Sequence, residues 1–85
     1  MIEITEVRVI KLNSTNRVKG IASITINNCF VVNDIKILES QNELFIVMPS
    51  RRTPNGEFKD IAHPINAETR KVIQDAILEK YKEMN

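Results

Sequence analysis

Apolar and polar residues change rhythm along this chain. Residues 2–12, IEITEVRVIKL, are rich in β-branched side chains, with Ile2 and Ile4 on one parity and Val7 and Val9 on the other. That shift of parity predicts a strand carrying a bulge. Asn13, Ser14, Thr15 and Asn16 have turn chemistry, and residues 18–26 then alternate, placing Val18, Ala22, Ile24 and Ile26 on one face. Asn27 and Asn28 tolerate the positive φ of a tight two-residue turn, so a third strand is expected from Phe30, Val31 and Val32 towards Leu38. After a polar connection over 39–43, the apolar run 44–48 reads as a fourth, more fully buried strand ended by Pro49. Beyond Asn66, which suits an N-cap, the period switches. Ile73, Ala76, Ile77, Tyr81 and Met84 recur at three- and four-residue spacing, with Lys71, Gln74, Asp75, Lys82 and Glu83 on the other face, which predicts a helix over about 67–84. The expected fold is α+β: an antiparallel β-meander of about four strands over residues 2–48, with the C-terminal helix packed on one face.

Residues 50–60, between sheet and helix, form the longest stretch without periodicity and are expected to be a loop. Thr53-Pro54-Asn55-Gly56 gives it a turn, since proline presets φ and glycine closes it. Ordered loops of this length are candidates for function. This one carries Arg51 and Arg52, and guanidinium groups contact phosphate and the guanine edge in bidentate fashion. The competing reading pairs one arginine with Glu57 or Asp60 and makes the pair a structural pin; spacing alone leaves both open.

Charge and composition narrow the field. Twelve Lys and Arg against eleven Asp and Glu leave a net +1, too little for a gross attraction to nucleic acid or anionic membrane. Residues 7–33 nevertheless contain no acidic side chain while holding Arg8, Lys11, Arg17 and Lys19. These four form either a basic face or the scattered charges that keep strand edges soluble. A chain of 85 residues holds one domain, 1–85, and buries so modest a core that self-association would help it. No apolar run approaches the length of a membrane span, and the N-terminus lacks a secretory pattern, so no membrane insertion and a cytoplasmic location are expected. Cys29 is the single cysteine and heads the apolar run 29–32, which predicts a buried thiol.

Catalytic signatures are missing from the sequence: no phosphate-binding glycine loop, no histidine pair at metal spacing, no CxxC. The expectation is a protein that is not an enzyme and uses no cofactor or metal. Ser50, Asp60 and His63 can be drawn as a triad on paper, but His63 reads better as a packed or hydrogen-bonded residue leading into the helix. Phe30, Phe45, Phe58 and Tyr81 sit in apolar patterns and are expected in the core rather than as base-stacking platforms. With one convincing helix there is no helix-turn-helix. Nucleic-acid contact, if made, must come from the sheet, the loop or a helix end.

The run LFIVMPSRRTPNGEFKDIAHPIN, residues 44–66, resembles the signature of the stage V sporulation protein G (SpoVG) family, and the likeness extends upstream through IASITINNCFVVNDIKIL and downstream into the helix. Met48-Pro49-Ser50, Thr53-Pro54 and Asp60-Ile61-Ala62-His63-Pro64-Ile65 are all in register. The resemblance implies a small dimeric bacterial regulator that binds DNA, and in some members RNA, and that affects sporulation and septation. It places the nucleic-acid contacts on the basic pair after Met-Pro-Ser, here Arg51 and Arg52. Lys59 matches a further basic position, although Glu57 and Asp60 beside it suit a structural role equally. Many relatives continue into an acidic tail beyond the helix, whereas this sequence reads to Asn85. An alternative is a protein-binding module that restrains septum formation through contacts with division proteins, without touching nucleic acid.

Overall fold

A computed structural model describes residues 2–13 and 17–84. Four strands, β1 (Ile4–Lys11), β2 (Val18–Ile26), β3 (Phe30–Ser40) and β4 (Glu43–Val47), form one antiparallel sheet in chain order, and a helix, α1 (Ala67–Glu83), lies across it. The α+β meander expected from the pattern is therefore the observed fold. Of the turn expected at Asn13 to Asn16, residues 14–16 lie outside the described residues.

Local chemistry accounts for the connections. Asn27 and Asn28 have φ of 51° and 58°, and Gln41 and Asn42 have φ of 53° and 66°, so both later hairpins turn on two left-handed residues, the geometry that matches strand twist. Asn27 also ties its turn to the start of the chain: its Oδ1 accepts from the Glu3 N–H at 3.0 Å, and its own N–H donates to the Glu3 carbonyl at 2.9 Å. The bulge expected in β1 falls between Ile4 and Glu6. Another lies on β3, where Asn33 and Asp34 oppose Ser23 and Asp34 takes a φ of 63°.

The registers bring Val7 and Val9, then Gly20, Ala22 and Ile24, then Ile35 and Ile37, and finally Ile46 onto one face. Ile73 and Ile77 of α1 close over them, with Met48 at the margin. Ile24, Ile35, Ile37, Ile46 and Ile77 are fully buried. Each such side chain contributes roughly 1.5–3 kcal/mol by leaving water. Asn66 caps α1 as expected, its Oδ1 accepting from the Thr69 N–H at 2.7 Å. Arg70 donates from Nη2 to the Ile46 carbonyl at 3.2 Å and fastens the helix to the edge strand. At Gly20 a Cβ would stand 3.1 Å from the Ile10 carbonyl oxygen and 3.6 Å from the Tyr81 ring, so the bare backbone there lets the helix settle on the sheet.

Three expectations need correction. Cys29 is exposed, because it completes the β2–β3 turn and the strand begins one residue later. β4 is not buried throughout: Ile46 is covered, while Phe45 and Val47 point to the helix-free face and are half-buried. Phe30, at the first position of β3, is 61% exposed and Phe58 72% exposed, whereas Phe45 and Tyr81 are partly buried.

Candidate nucleic-acid interface

Past Pro49 the chain builds a second, two-stranded sheet where a loop was expected. β5 (Ser50–Arg52) and β6 (Phe58–Asp60) pair antiparallel, with Ser50 opposite Asp60, Arg51 opposite Lys59, and Arg52 opposite Phe58. The tip follows from its sequence. The Gly56 N–H donates to the Thr53 carbonyl at 2.9 Å, the Thr53 N–H donates to the Glu57 carbonyl at 2.7 Å, and Gly56 takes a φ of 84°. This is a three-residue hairpin loop ending in a glycine bulge, with Pro54 fixing its entry. At the root the Ile61 N–H donates to the Pro49 carbonyl at 2.7 Å. Backbone hydrogen bonds thus run from root to tip and hold the ribbon's shape without a core beneath it.

All six strand residues of the ribbon are exposed. Alternation along a strand sends neighbours to opposite faces. Arg51 and Lys59 therefore share one face, two cations side by side with no carboxylate among them. Arg52 shares the other face with Phe58, and with Ser50 and Asp60 further towards the root. The adjacent arginines do not act as a single fork; the ribbon brings Lys59 to Arg51 and parts Arg52 from both. Arg52 reaches towards the tip, its Nη2 lying 3.7 Å from where a Cβ on Gly56 would stand.

No carboxylate of the described residues pins these cations. Among the described residues the ion pairs are Arg8–Glu6 and Lys71–Asp75, so neither Glu57 nor Asp60 neutralises Arg51, Arg52 or Lys59. The basic residues of the sheet are arranged differently. Arg8 is paired with Glu6 on the helix-free face, whereas Lys11 lies on the helix side with its Nζ 4.7 Å from the centre of the Tyr81 ring. They do not gather into one basic face.

Of the three residues that can be drawn as a triad, two come together. Ser50 faces Asp60 across the ribbon, while His63 is exposed and donates from Nδ1 to the Pro64 carbonyl at 3.0 Å. Phe58 is the residue of this site that pattern reasoning missed. Its signal was isolation: an aromatic between Glu57 and Lys59, with no apolar partner at strand spacing.

The ribbon's root borders the helix-free face, where Pro49, Ser50 and Ile61 meet Ile21, Lys36 and Val47 around a cavity of about 280 Å³. Nearby, exposed Phe30, Val31 and Ile61 line a shallow apolar concavity. Among the described residues no helix is long and apolar enough to cross a membrane.

Comparison with known proteins covers sheet, ribbon and helix together. The SpoVG family profile matches residues 2–83. A protein of Caldicellulosiruptor bescii named "Putative septation protein SpoVG" is 61% identical over 80 residues, spanning 94% of this chain and 91% of its own length. Proteins of the same name from Acetivibrio thermocellus and Clostridium perfringens are 62% and 59% identical, over 94% and 95% of this chain and 85% and 90% of their own. With the match running through every strand and the helix, the chain belongs to the SpoVG family.

Proposed function

We propose that this protein is a non-enzymatic, dimeric regulator that binds DNA, and RNA by the same chemistry, through its β5–β6 ribbon, and that it acts in sporulation and septation in the cytoplasm. The septation role comes from the names its relatives carry. The nucleic-acid role rests on one observation: Arg51, Arg52 and Lys59 stand exposed on a hydrogen-bonded ribbon, with no carboxylate among the described residues taking their charge. Unneutralised cations on a fixed frame are what phosphate contacts require, and a two-stranded ribbon fits the major groove of a duplex. The apolar concavity of Phe30, Val31 and Ile61 beside the ribbon's root supports dimerisation. A second copy covering it would set two ribbons near one another.

Titrating the protein against random and genomic DNA fragments at two salt concentrations tests the reading. Binding should weaken steeply with salt, and Arg51→Ala with Arg52→Ala should remove most affinity while the fold persists. Light scattering should give twice 9.8 kDa for the wild type and the monomer mass for Val31→Glu with Ile61→Glu. Negligible affinity for every fragment at low salt would reject the nucleic-acid role and leave a module that binds division proteins, the ribbon then meeting an acidic partner.

A further inference from the structure

We infer that Phe58 is a stacking platform for an unpaired base, so that the Arg52 face of the ribbon takes single-stranded nucleic acid; this deepens the nucleic-acid reading above and rests on it. Phe58 is 72% exposed on a two-stranded ribbon whose strand residues are all at the surface. A large aromatic ring gains little for the fold there, since among the described residues no layer buries either face of the ribbon. Its cross-strand partner is Arg52, and cross-strand pairs stand about 4.5–5.5 Å apart at Cβ. A nucleotide whose base lies on the Phe58 ring has its phosphate within reach of the Arg52 guanidinium.

The division of charge between the faces points the same way. The Arg51–Lys59 face carries two cations and suits a sugar-phosphate backbone. The other face carries one cation, one anion in Asp60, one hydroxyl in Ser50 and one aromatic ring, so its charge sums to zero. A face with one cation beside an exposed ring takes a single phosphate at Arg52 and seats a base next to it: the ring meets the π-surface, and the carboxylate and hydroxyl are available to the base's polar edge. Bases in a duplex are stacked on one another and do not offer that surface. Unpaired ones do.

The chain contains no tryptophan, so Phe58→Trp introduces a single fluorescent reporter at the platform. The probe is an oligo(dT) strand of about a dozen nucleotides, compared with the same strand annealed to oligo(dA). Phe58→Ala should weaken binding to the single strand by about 5- to 150-fold, the equivalent of ~1–3 kcal/mol for one stacked base, and binding to the duplex by less than about twofold. Phe58→Trp should keep the wild-type affinity, and its emission should be quenched as oligo(dT) saturates. Equal single-strand affinity for Phe58→Ala and wild type, equal losses on strand and duplex, or unquenched emission at saturation would each overturn the inference. So would a change of molar mass in Phe58→Ala with single-strand affinity intact, which would assign the ring to an interface between copies. Failure of the wild type to bind either strand or duplex would instead remove the nucleic-acid reading itself.

Discussion

Replacing Arg51 and Lys59 together by glutamine separates the ribbon's two faces. The two residues are direct cross-strand partners, so their charges leave from one patch, while Arg52 on the opposite face stays untouched. Each phosphate contact contributes about 0.9 to the slope of log K against log salt for duplex DNA, so losing two flattens it by about 1.8 per protomer. Between about 50 and 200 mM salt, that portion of the slope amounts to roughly a twelvefold change in affinity, or roughly 150-fold if both ribbons of a dimer engage. Arg52→Gln should flatten the slope by only about 0.9, a factor of roughly 3.5 over the same range. Fluorescence anisotropy of a labelled fragment at three salt concentrations measures all of these. Folding should not suffer: the side chains are exposed, and removing like charges that stand directly opposite relieves a repulsion, so the melting temperature should hold or rise slightly. A wild-type slope in the Arg51→Gln, Lys59→Gln protein, or an equal flattening by Arg52→Gln alone, would refute the assignment of phosphate contact to this face.

Three further outcomes test the fold that carries the ribbon. Ile77→Ala, which empties a fully buried position between helix and sheet, should cost about 2–5 kcal/mol, and at about 4–8 °C per kcal/mol the melting temperature should drop by roughly 8–40 °C in a calorimeter. Gly20→Val should cost about 1–3 kcal/mol in a urea titration, because the first added carbon already meets the Ile10 carbonyl and the rest presses on Tyr81. Asn66→Ala should cost about 0.5–2 kcal/mol by the same titration while Asn66→Ser keeps most of the stability, since the Thr69 N–H needs an oxygen at that position.

What could be read from the sequence, and what could not, divides along a physical line. Strand alternation, the Asn27-Asn28 turn, the β1 bulge and the Asn66 cap are written in local terms: one buried face, a positive φ, a side-chain oxygen beside an orphan N–H. The ribbon obeys different rules. A strand announces itself by burying every second residue, and β5 and β6 bury none, so only the turn at Pro54 to Gly56 marked the place. Cys29, Phe30 and Phe58 lie outside the expected core for a related reason: an apolar side chain is covered only where another layer reaches it, and these three sit in the β2–β3 turn, at the first position of β3 and on the ribbon, where they stay exposed. Arg51 and Arg52 were found as a pair by adjacency, and adjacency on a strand is what sets them apart. Their grouping with Lys59 and Phe58 depends on a register that only the folded hairpin reveals.

The order of layers along the chain has a consequence for biosynthesis. All four strands of the main sheet precede the helix that covers them, and the ribbon and its tail intervene before Ala67. The isoleucine-lined side of the sheet, from Ile24 to Ile46, therefore leaves the ribosome ahead of the helix that covers it. During that interval the side chains of that face are exposed apolar surface of the kind that makes partly folded chains prone to aggregation. Successive strands pair with their immediate neighbours, whereas the helix has to close over β1 from the far end of the chain, so the helix supplies the longest-range contacts of the fold.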